Sequence, residues 1–548
     1  MLLVTNPVVR APRSDNQDLC IPDHSQFCSQ VIDNQRLWAS DSIPAWIKQL
    51  RESARSEVVS AARAYSRSYT QEPSLESSMM WIMGGHQPEA FHPGVWYKNF
   101  LIDQAAKSLQ GSNAPAAGIH VIIDHDLPKS TSIKVPSRSN HNLDHIALET
   151  SPLPIQRRPR SGLVPEPWHN YLLDHDRIEP FVRHIESSAQ LLGLPRPMVR
   201  QFFNRLEHLP KAPNAALALS QARHLTEIQH GLRNIDLPMS HVCQTQAWFR
   251  FVEHCIAHAR NLWQVYNSSL DEYRKREKIT NPGQPVATLG AQGPWLELPF
   301  WLYRSSEPGR NRMWIRYDSS DCILACGLRP DQFAWTLQID PQPGGLQRAL
   351  TSTSDREFCL RPRALMTTLF MRCFLADGFV HGIGGGIYDR LTDEIIRGFL
   401  GIAPPNYAIA TATLHLPLPD NLRLSTQLAE AELTALKKHS QRIRSAPEKI
   451  LSLNDPYERD LAGAHAGLLA AIPRRGTKKT WHRQMVDLKD QIRKAIEPSF
   501  KEHQRKLLMA QRRSQEAYLL ASREYSMLLF PESNCIERLM SLASQVHA

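Results

Sequence analysis

The chain has 548 residues, a formal net charge of +10, and a composition that is 42% hydrophobic and 22% charged. That balance excludes an intrinsically disordered chain and allows roughly three or four units at about 150 residues per domain. The start, "MLLVTNPVVRAPRSDNQDLC", has no basic segment leading into a sustained apolar run, and the most apolar long stretch, Ala364 to Ile387, is interrupted by Arg372, Asp377 and His381. Neither a secretory leader nor a membrane span is expected. The nine cysteines are scattered, and the closest pair, Cys322 and Cys326, has no second pair to complete a zinc site. A reducing, cytoplasmic setting fits them.

The first strong pattern is the apolar run "MMWIM" followed by "GGHQPEAFHPGVWYKN" and the helical pattern "FLIDQAAKSLQ". A strand, a glycine-rich turn and a helix from about Val95 to Leu109 are predicted. Backbone N–H groups at such a helix start are unpaired and favour an anion. The turn holds Gly85, His86, Gln87, His92 and Gly94, with Lys98 one turn into the helix. A second strand, "AGIHVIIDHD", completes a βαβ unit with parallel strands. It ends in Asp124, His125 and Asp126. Carboxylates beside an imidazole fix its tautomer and make it a general base, or orient an amine. The spacing matches no metal motif, so no metal is assigned.

From 150 to 270 the pattern is mainly helical, and the "DHD" letters recur there as Asp174, His175 and Asp176 without a strand before them. "PWLELPFWLYR" and "NRMWIRYD" read as an antiparallel hairpin or lid. A third polar cluster follows an apolar helix. Arg361 and Arg363 precede it, "GFVH" reads as a short strand ending at His381, "GIGGG" as a glycine loop, and Tyr388 to Leu400 as a helix carrying Asp389. Gly384, Gly385 and Gly386 let backbone donors approach a ligand. The run is not a dinucleotide fingerprint, because the spacing is wrong.

From Asn421 onward the chain carries 22 Lys+Arg against 14 Asp+Glu. Apolar seams at Leu433, Leu436 and Ile443, and at Met485, Leu488, Ile492 and Ile496, predict two long helices in an antiparallel arm, joined by "SLNDPYERDLAGAHAGLLAAIPRRGTKKT" and broken or kinked at Pro498. Acids interleave with the basic residues and no aromatic series accompanies them, so a solvated face and self-association are expected rather than nucleic-acid binding.

Four stretches, "GHQPEAFHPGVWYK", "IDHD", "LRPRALMTTLF…HGIGGGIYD" and "LFPESNCIER", resemble in that order the bacillithiol-biosynthesis cysteine-adding enzymes, a cysteine ligase family. The resemblance spans roughly Met80 to Leu542. It implies an α/β fold with a Rossmann-like nucleotidyltransferase-type core, and a C-terminal antiparallel coiled coil that supports a homodimer. The implied activity is amide formation between cysteine and the amino group of an aminosugar conjugate, glucosaminyl-malate. By matched position, Gly85, Gln87, Lys98, Asp124, His125 and Asp126 become pocket residues, with Gly384 to Gly386 the far wall. His86 stands where the family has a glutamine, His92-Pro93-Gly94 alters its glycine–proline order, and Val95 replaces the last histidine of a His-x-Gly-His signature. These departures leave the amine acceptor open.

The resulting expectations are an N-terminal part of the core at 1–150, a mainly helical insertion at 151–290, the rest of the core at 291–420, and the arm with a C-terminal segment at 421–548. The catalytic set is His125, Asp124, Asp126 and Lys98, with His125 and Lys98 expected to be accessible pocket groups that add little to stability. The cofactor is unassigned, with ATP the candidate for activating a carboxylate, although no Walker loop is present. Nucleotidyl transfer to another acceptor and a non-catalytic, RNA-binding scaffold remain the alternatives.

Overall fold

The computed structural model describes residues 9–112, 114–139, 142–157, 167–304, 309–318, 321–330, 332–340, 342–351, 358–423, 426–473, 476 and 478–546. The first eight residues, and positions 474, 475 and 477 of the arm's connector, lie outside the described residues. The fold is mixed α/β with several sheets.

The chain lays down strand β1 (Gln17–Ile21), helix α1 (Ala45–Arg67), strand β2 (Met80–His86), helix α2 (Pro93–Gly111) and strand β3 (Ala116–Ile122). After an antiparallel hairpin, Ser132–Ser139 with Asn142–Pro152, a short strand pair and then three helices among the described residues, it returns as β4 (Ile235–Pro238). Strands β5 (Trp295–Arg304), β6 (Arg312–Asp318), β7 (Asp321–Gly327), β8 (Phe333–Ile339) and β9 (Phe358–Pro362) form a separate antiparallel sheet in the order β8-β7-β6-β5-β9. The chain then re-enters the first sheet as β10 (Gly378–His381) and, after helix α3 (Ile383–Ile395), as β11 (Ala408–Thr413).

The first sheet runs β1-β11-β10-β2-β3-β4, parallel throughout except for β1 at the edge. Every residue of β3 and of β11 is buried, as a parallel sheet covered on both faces requires. Alternation along β2 divides the core. Met80 and Ile82 pack with Trp96, Phe100 and Leu101 of α2, whereas Trp81 and Met83 pack in the cluster that holds Leu391 and Ile395 of α3. The chain therefore leaves β2 for one face and β10, its neighbour, for the other. Both helices begin at the same end of the sheet, where the order of strands reverses. At the opposite end, Arg51 and Arg55 of α1 clasp Asp377 at 2.7 and 3.0 Å, and that carboxylate also accepts from the Trp81 N–H at 2.8 Å, which locks β10 beside β2.

Three features differ from the sequence expectation. The region expected to be a helical insertion supplies the edge strand β4, whose four residues are too few for a periodicity signal. Gly384 to Gly386 are not a loop but the first turn of α3, because Gly382 takes the N-cap position. The arm's connector is itself a helix, Pro456–Ala470, packed through Leu461 on Leu488 and Ile492 of the helix Lys478–Ala495.

Helix α4 (Thr426–Ser445) pairs antiparallel with α5 (Glu497–Leu520), as Arg513 meets Glu432 at 3.4 Å and His503 meets Ser440 at 2.7 Å. Pro498 sits in the first turn of α5, just after the break that ends the preceding helix at Ala495. The last segment, through α6 (Glu532–Ala543), returns to the first sheet's helical layer: Tyr525, Leu528, Phe530 and Ile536 are buried in the cluster around α2. Among the described residues no helix is long and apolar enough to cross a membrane.

Candidate functional site

A cavity of about 780 Å³ opens at the end of the first sheet where β2 and β10 finish, between the starts of α2 and α3, and the second sheet covers it through β5, β6 and β9. Its size falls in the range of small-molecule sites, and a crevice beyond the carboxyl ends of parallel strands is the place where such sheets bind ligands.

The turn after β2 is built for this position. His92 caps α2, its Nδ1 accepting from the Gly94 N–H at 3.1 Å, and Pro93 occupies the first helical position, where no N–H is needed. Burial pushes the His92 imidazole down to about 3, with Arg523 and Lys98 adding to the effect, so its lone pair stays available to the cap. His86 donates from Nδ1 to the Gln87 carbonyl at 2.6 Å and packs edge-on against Phe91. Burial, then the neighbouring His120 and Lys98, hold it neutral.

Lys98 is only 5% exposed, yet it reaches the cavity wall. Its Nζ donates to the Gly85 carbonyl at 3.0 Å, and among the described residues no carboxylate pairs with it. Burial, and to a lesser degree Lys129, bring it down to about 7. A cation held this way is compensated when an anion binds.

The three residues after β3 separate. The strand ends at Ile122, so 124–126 form a turn and no longer alternate across a strand. Asp124 is buried and accepts from the Ser240 N–H at 3.0 Å, outside the cavity wall; it holds the turn after β4 and is not positioned for chemistry in the cavity. Asp126 does line it, bound by Gln87 at 3.0 Å and Arg310 at 3.0 Å. Burial raises its carboxyl, but Arg310, His125 and these hydrogen bonds outweigh that and hold it below the usual range. His125 lines the cavity but is 3% exposed, with Nδ1 unpartnered. Burial pushes it down to about 4 despite Asp124 and Asp126. Neither His125 nor Lys98 is the accessible group expected from the sequence; both lie in the protein interior at the cavity's edge.

On the other side, His381 ends β10 and meets Asp389 of α3 at 2.8 Å, and Arg372 holds the same carboxylate at 2.6 Å. Burial raises the Asp389 carboxyl, and Arg372 and His381 more than reverse this, keeping it well below the usual range. Gly384, Gly385, Tyr388 and Arg363 line the cavity with His381. Gly386 does not: a Cβ there would run into Ile409, so its role is to let α3 lie against β11. Arg361 is buried in the β5–β9 pairing, bonded to the Leu360 carbonyl and Cys359, and Asp389 stands behind His381; neither reaches the cavity.

Distant parts of the chain complete the walls. The guanidinium groups of Arg310 and Arg363 lie over the ring of Trp301 of β5, at 4.6 and 4.4 Å from its centroid. Buried Glu297 pairs with both Arg363 and Arg312. Arg523, between α5 and α6, reaches Thr411 of β11 at 2.6 Å beside the start of α2. The aromatic run around Trp301 marked that stretch as a strand, but nothing local in "LLASREYS" marks Arg523.

No protein-family model matches this chain, and no curated protein matches it. Among the described residues no three histidine, cysteine, aspartate or glutamate side chains gather where they could hold a metal ion.

Two helix starts, Lys98 and Arg523 can bind a carboxylate or phosphate; Asp126 and Glu89 can receive an ammonium group. His381 with Asp389 can move a proton.

Proposed function

We propose that this chain is a cysteine-ligase-like enzyme that forms an amide between the carboxyl group of cysteine and the amino group of an aminosugar conjugate, in a cytoplasmic route to a bacillithiol-type thiol. The observation that carries the reading is the meeting, in one cavity, of two helix N-termini, a buried lysine with no carboxylate partner among the described residues, and a histidine backed by a carboxylate. The strand order agrees with a doubly wound, Rossmann-like core of the nucleotidyltransferase type. The antiparallel pairing of α4 and α5 agrees with a coiled-coil arm, through which a second copy would associate.

Amide formation needs an activated carboxyl and an unprotonated amine. A nucleoside triphosphate would supply the activation as an acyl phosphate ester, and the cavity's donors suit its phosphates: the α2 start, Lys98 and Arg523. Asp126 and Glu89 orient the amine. The second sheet, through Trp301 and its stacked arginines, covers the cavity and keeps water from the activated carbon.

The test is direct. Purified protein is incubated with cysteine and glucosaminyl-malate, with and without ATP and magnesium, and products are followed by mass spectrometry. An amide carrying both substrates is expected. Pyrophosphate release in the presence of a phosphate or sugar acceptor, with no amide, assigns the chain to nucleotidyl transfer instead. Neither product, with no thermal shift by either ligand set, overturns both readings.

A further inference from the structure

The imidazole of His381 is 7% exposed, and its two nitrogens lie in different surroundings. Nε2 faces the Asp389 carboxylate, which is fixed by Arg372, and Arg372 is bonded in turn to Asp393 at 2.7 Å. An ionised carboxylate only accepts, so Nε2 carries the hydrogen and Nδ1 the lone pair. The rings of Phe379 and Tyr407 flank the imidazole at 4.7 and 5.2 Å and hold its plane. Among the described residues Nδ1 has no hydrogen-bond partner. Its close neighbour is Gly385, where a Cβ would stand 2.9 Å away. Any other residue at 385 covers the lone pair; glycine leaves it open.

Of the remaining cavity histidines, His92 spends its Nδ1 on the helix cap. His86 donates from Nδ1 to a carbonyl and has an unpartnered Nε2, but that nitrogen is buried out of reach and burial holds the ring well below its ordinary basicity. His125 has Nδ1 unpartnered and, at about 4, is too weak a base to hold a proton at neutral pH.

We propose that His381 is the general base of this cavity, with Asp389 as its positioning residue and Gly385 as the opening that lets substrate reach Nδ1. The substrate rests on the ligase reading. As the amine nitrogen attacks the activated carboxyl carbon, the C–N bond forms, the C–O bond to the phosphate leaving group breaks with its electron pair going to oxygen, and the N–H proton passes to Nδ1.

The experiment uses the full chain and two readouts. Diethyl pyrocarbonate, which acylates neutral imidazole, is applied to the wild type and to Gly385→Ala, and modified histidines are mapped by mass spectrometry. His381 reacts in the wild type and at least tenfold more slowly in the variant, whose folding is checked by circular dichroism and melting temperature, because a Cβ 2.9 Å from the ring nitrogen makes a neighbour give way. In the ligation assay Gly385→Ala loses about 10²-fold or more in turnover. Asp389→Asn loses turnover without a fall in melting temperature, and Asp389→Glu, which returns a carboxylate to Nε2, recovers part of it. A merely structural Asp389 would lower the melting temperature in both variants and show no such rescue. If Asp389→Asn does not fold, Gly385→Ala alone carries the decision. His381 unreactive in the wild type, equal reactivity in Gly385→Ala, or wild-type turnover in Gly385→Ala each overturns the proposal. Absence of any amide, with the reactivity pattern intact, sinks the ligase reading but supports the open, carboxylate-backed base.

Discussion

Lys98 shows how one residue ties stability to ligand binding. Its fall from 10.5 to about 7 means that the folded chain binds fewer protons there than the unfolded chain between those values. Burying the ammonium therefore costs stability, in full below about pH 7, and the cost fades as pH rises toward 10.5. Lys98→Met is expected to raise the urea midpoint at pH 7, with the gain shrinking by pH 10. The ceiling is about 5 kcal/mol from the pKa difference, less the loss of the bond to Gly85. A midpoint that drops at pH 7 refutes this account. The same lysine makes anion binding pH-dependent: an anion favours the charged form, so affinity for pyrophosphate should strengthen as pH falls from 8 to 6.5, with protons taken up on binding. Calorimetry in buffers of different ionisation enthalpy measures that uptake, and none at pH 8 would exclude Lys98 from the anion site. Lys98 was legible in the sequence because strand, turn and helix follow one another locally, so its place beside the helix start comes from spacing alone. Its burial was not, because the cavity it borders is closed by parts of the chain far along the sequence, and neither Arg310 nor Arg523 carries a local mark.

At the scale of elements, the strand–turn–helix units were readable and the boundaries set by packing were not. Pro93 announced the start of α2 and Pro498 the break before α5, since proline acts on the backbone wherever it sits. The glycines at 384–386 read as a loop because glycine weakens a helix, and only the closeness of Ile409 to Gly386 explains why a glycine stands in the first turn of one. Gly386→Val should therefore destabilise the chain by about 1–3 kcal/mol through overpacking against β11; an unchanged melting temperature would mean that α3 slides freely. The C-terminal boundary is a second case. Charge and apolar seams run on from 421 to the end, but Leu528, Phe530 and Ile536 are buried in the core and the Met198 N–H donates to the Phe530 carbonyl. Truncation at 421 should yield insoluble protein. Replacing residues 430–516 by a short Gly/Ser linker should leave a folded core by circular dichroism, because α4 and α5 return to their starting point as an antiparallel pair. If both versions behave alike, the arm and the tail are not separable elements.

For the molecule as a whole, the same closure that forms the cavity makes the fold sensitive to acid. Buried histidines line or back the cavity on β2, at the start of α2 and on and after β3: His92 is held at about 3, His120 and His125 at about 4, and His86 well below its ordinary value, in each case first by burial. Each has a folded pKa below that of the unfolded chain, so the unfolded state binds more protons once pH falls under about 6.5. Stability is then lost progressively down to the folded value. At pH 5 the loss is about 2 kcal/mol per histidine. Glu89, Asp103 and Asp393, whose carboxyls burial raises, act in the opposite direction, since protonation relieves them as pH falls. The histidines are more numerous and more deeply buried, so they decide the sign. Against a net stability of roughly 5–15 kcal/mol for a typical domain, the chain should be near its limit at pH 5. The expected result is a urea midpoint that falls steadily from pH 7 to pH 5. His125→Asn removes one titrating group and should flatten the slope by about 1.2 kcal/mol per pH unit between 6 and 4.5. A slope unaltered by His125→Asn would mean that His125 titrates in the folded protein as it does in the unfolded chain, and that the cavity edge at β3 is open to water.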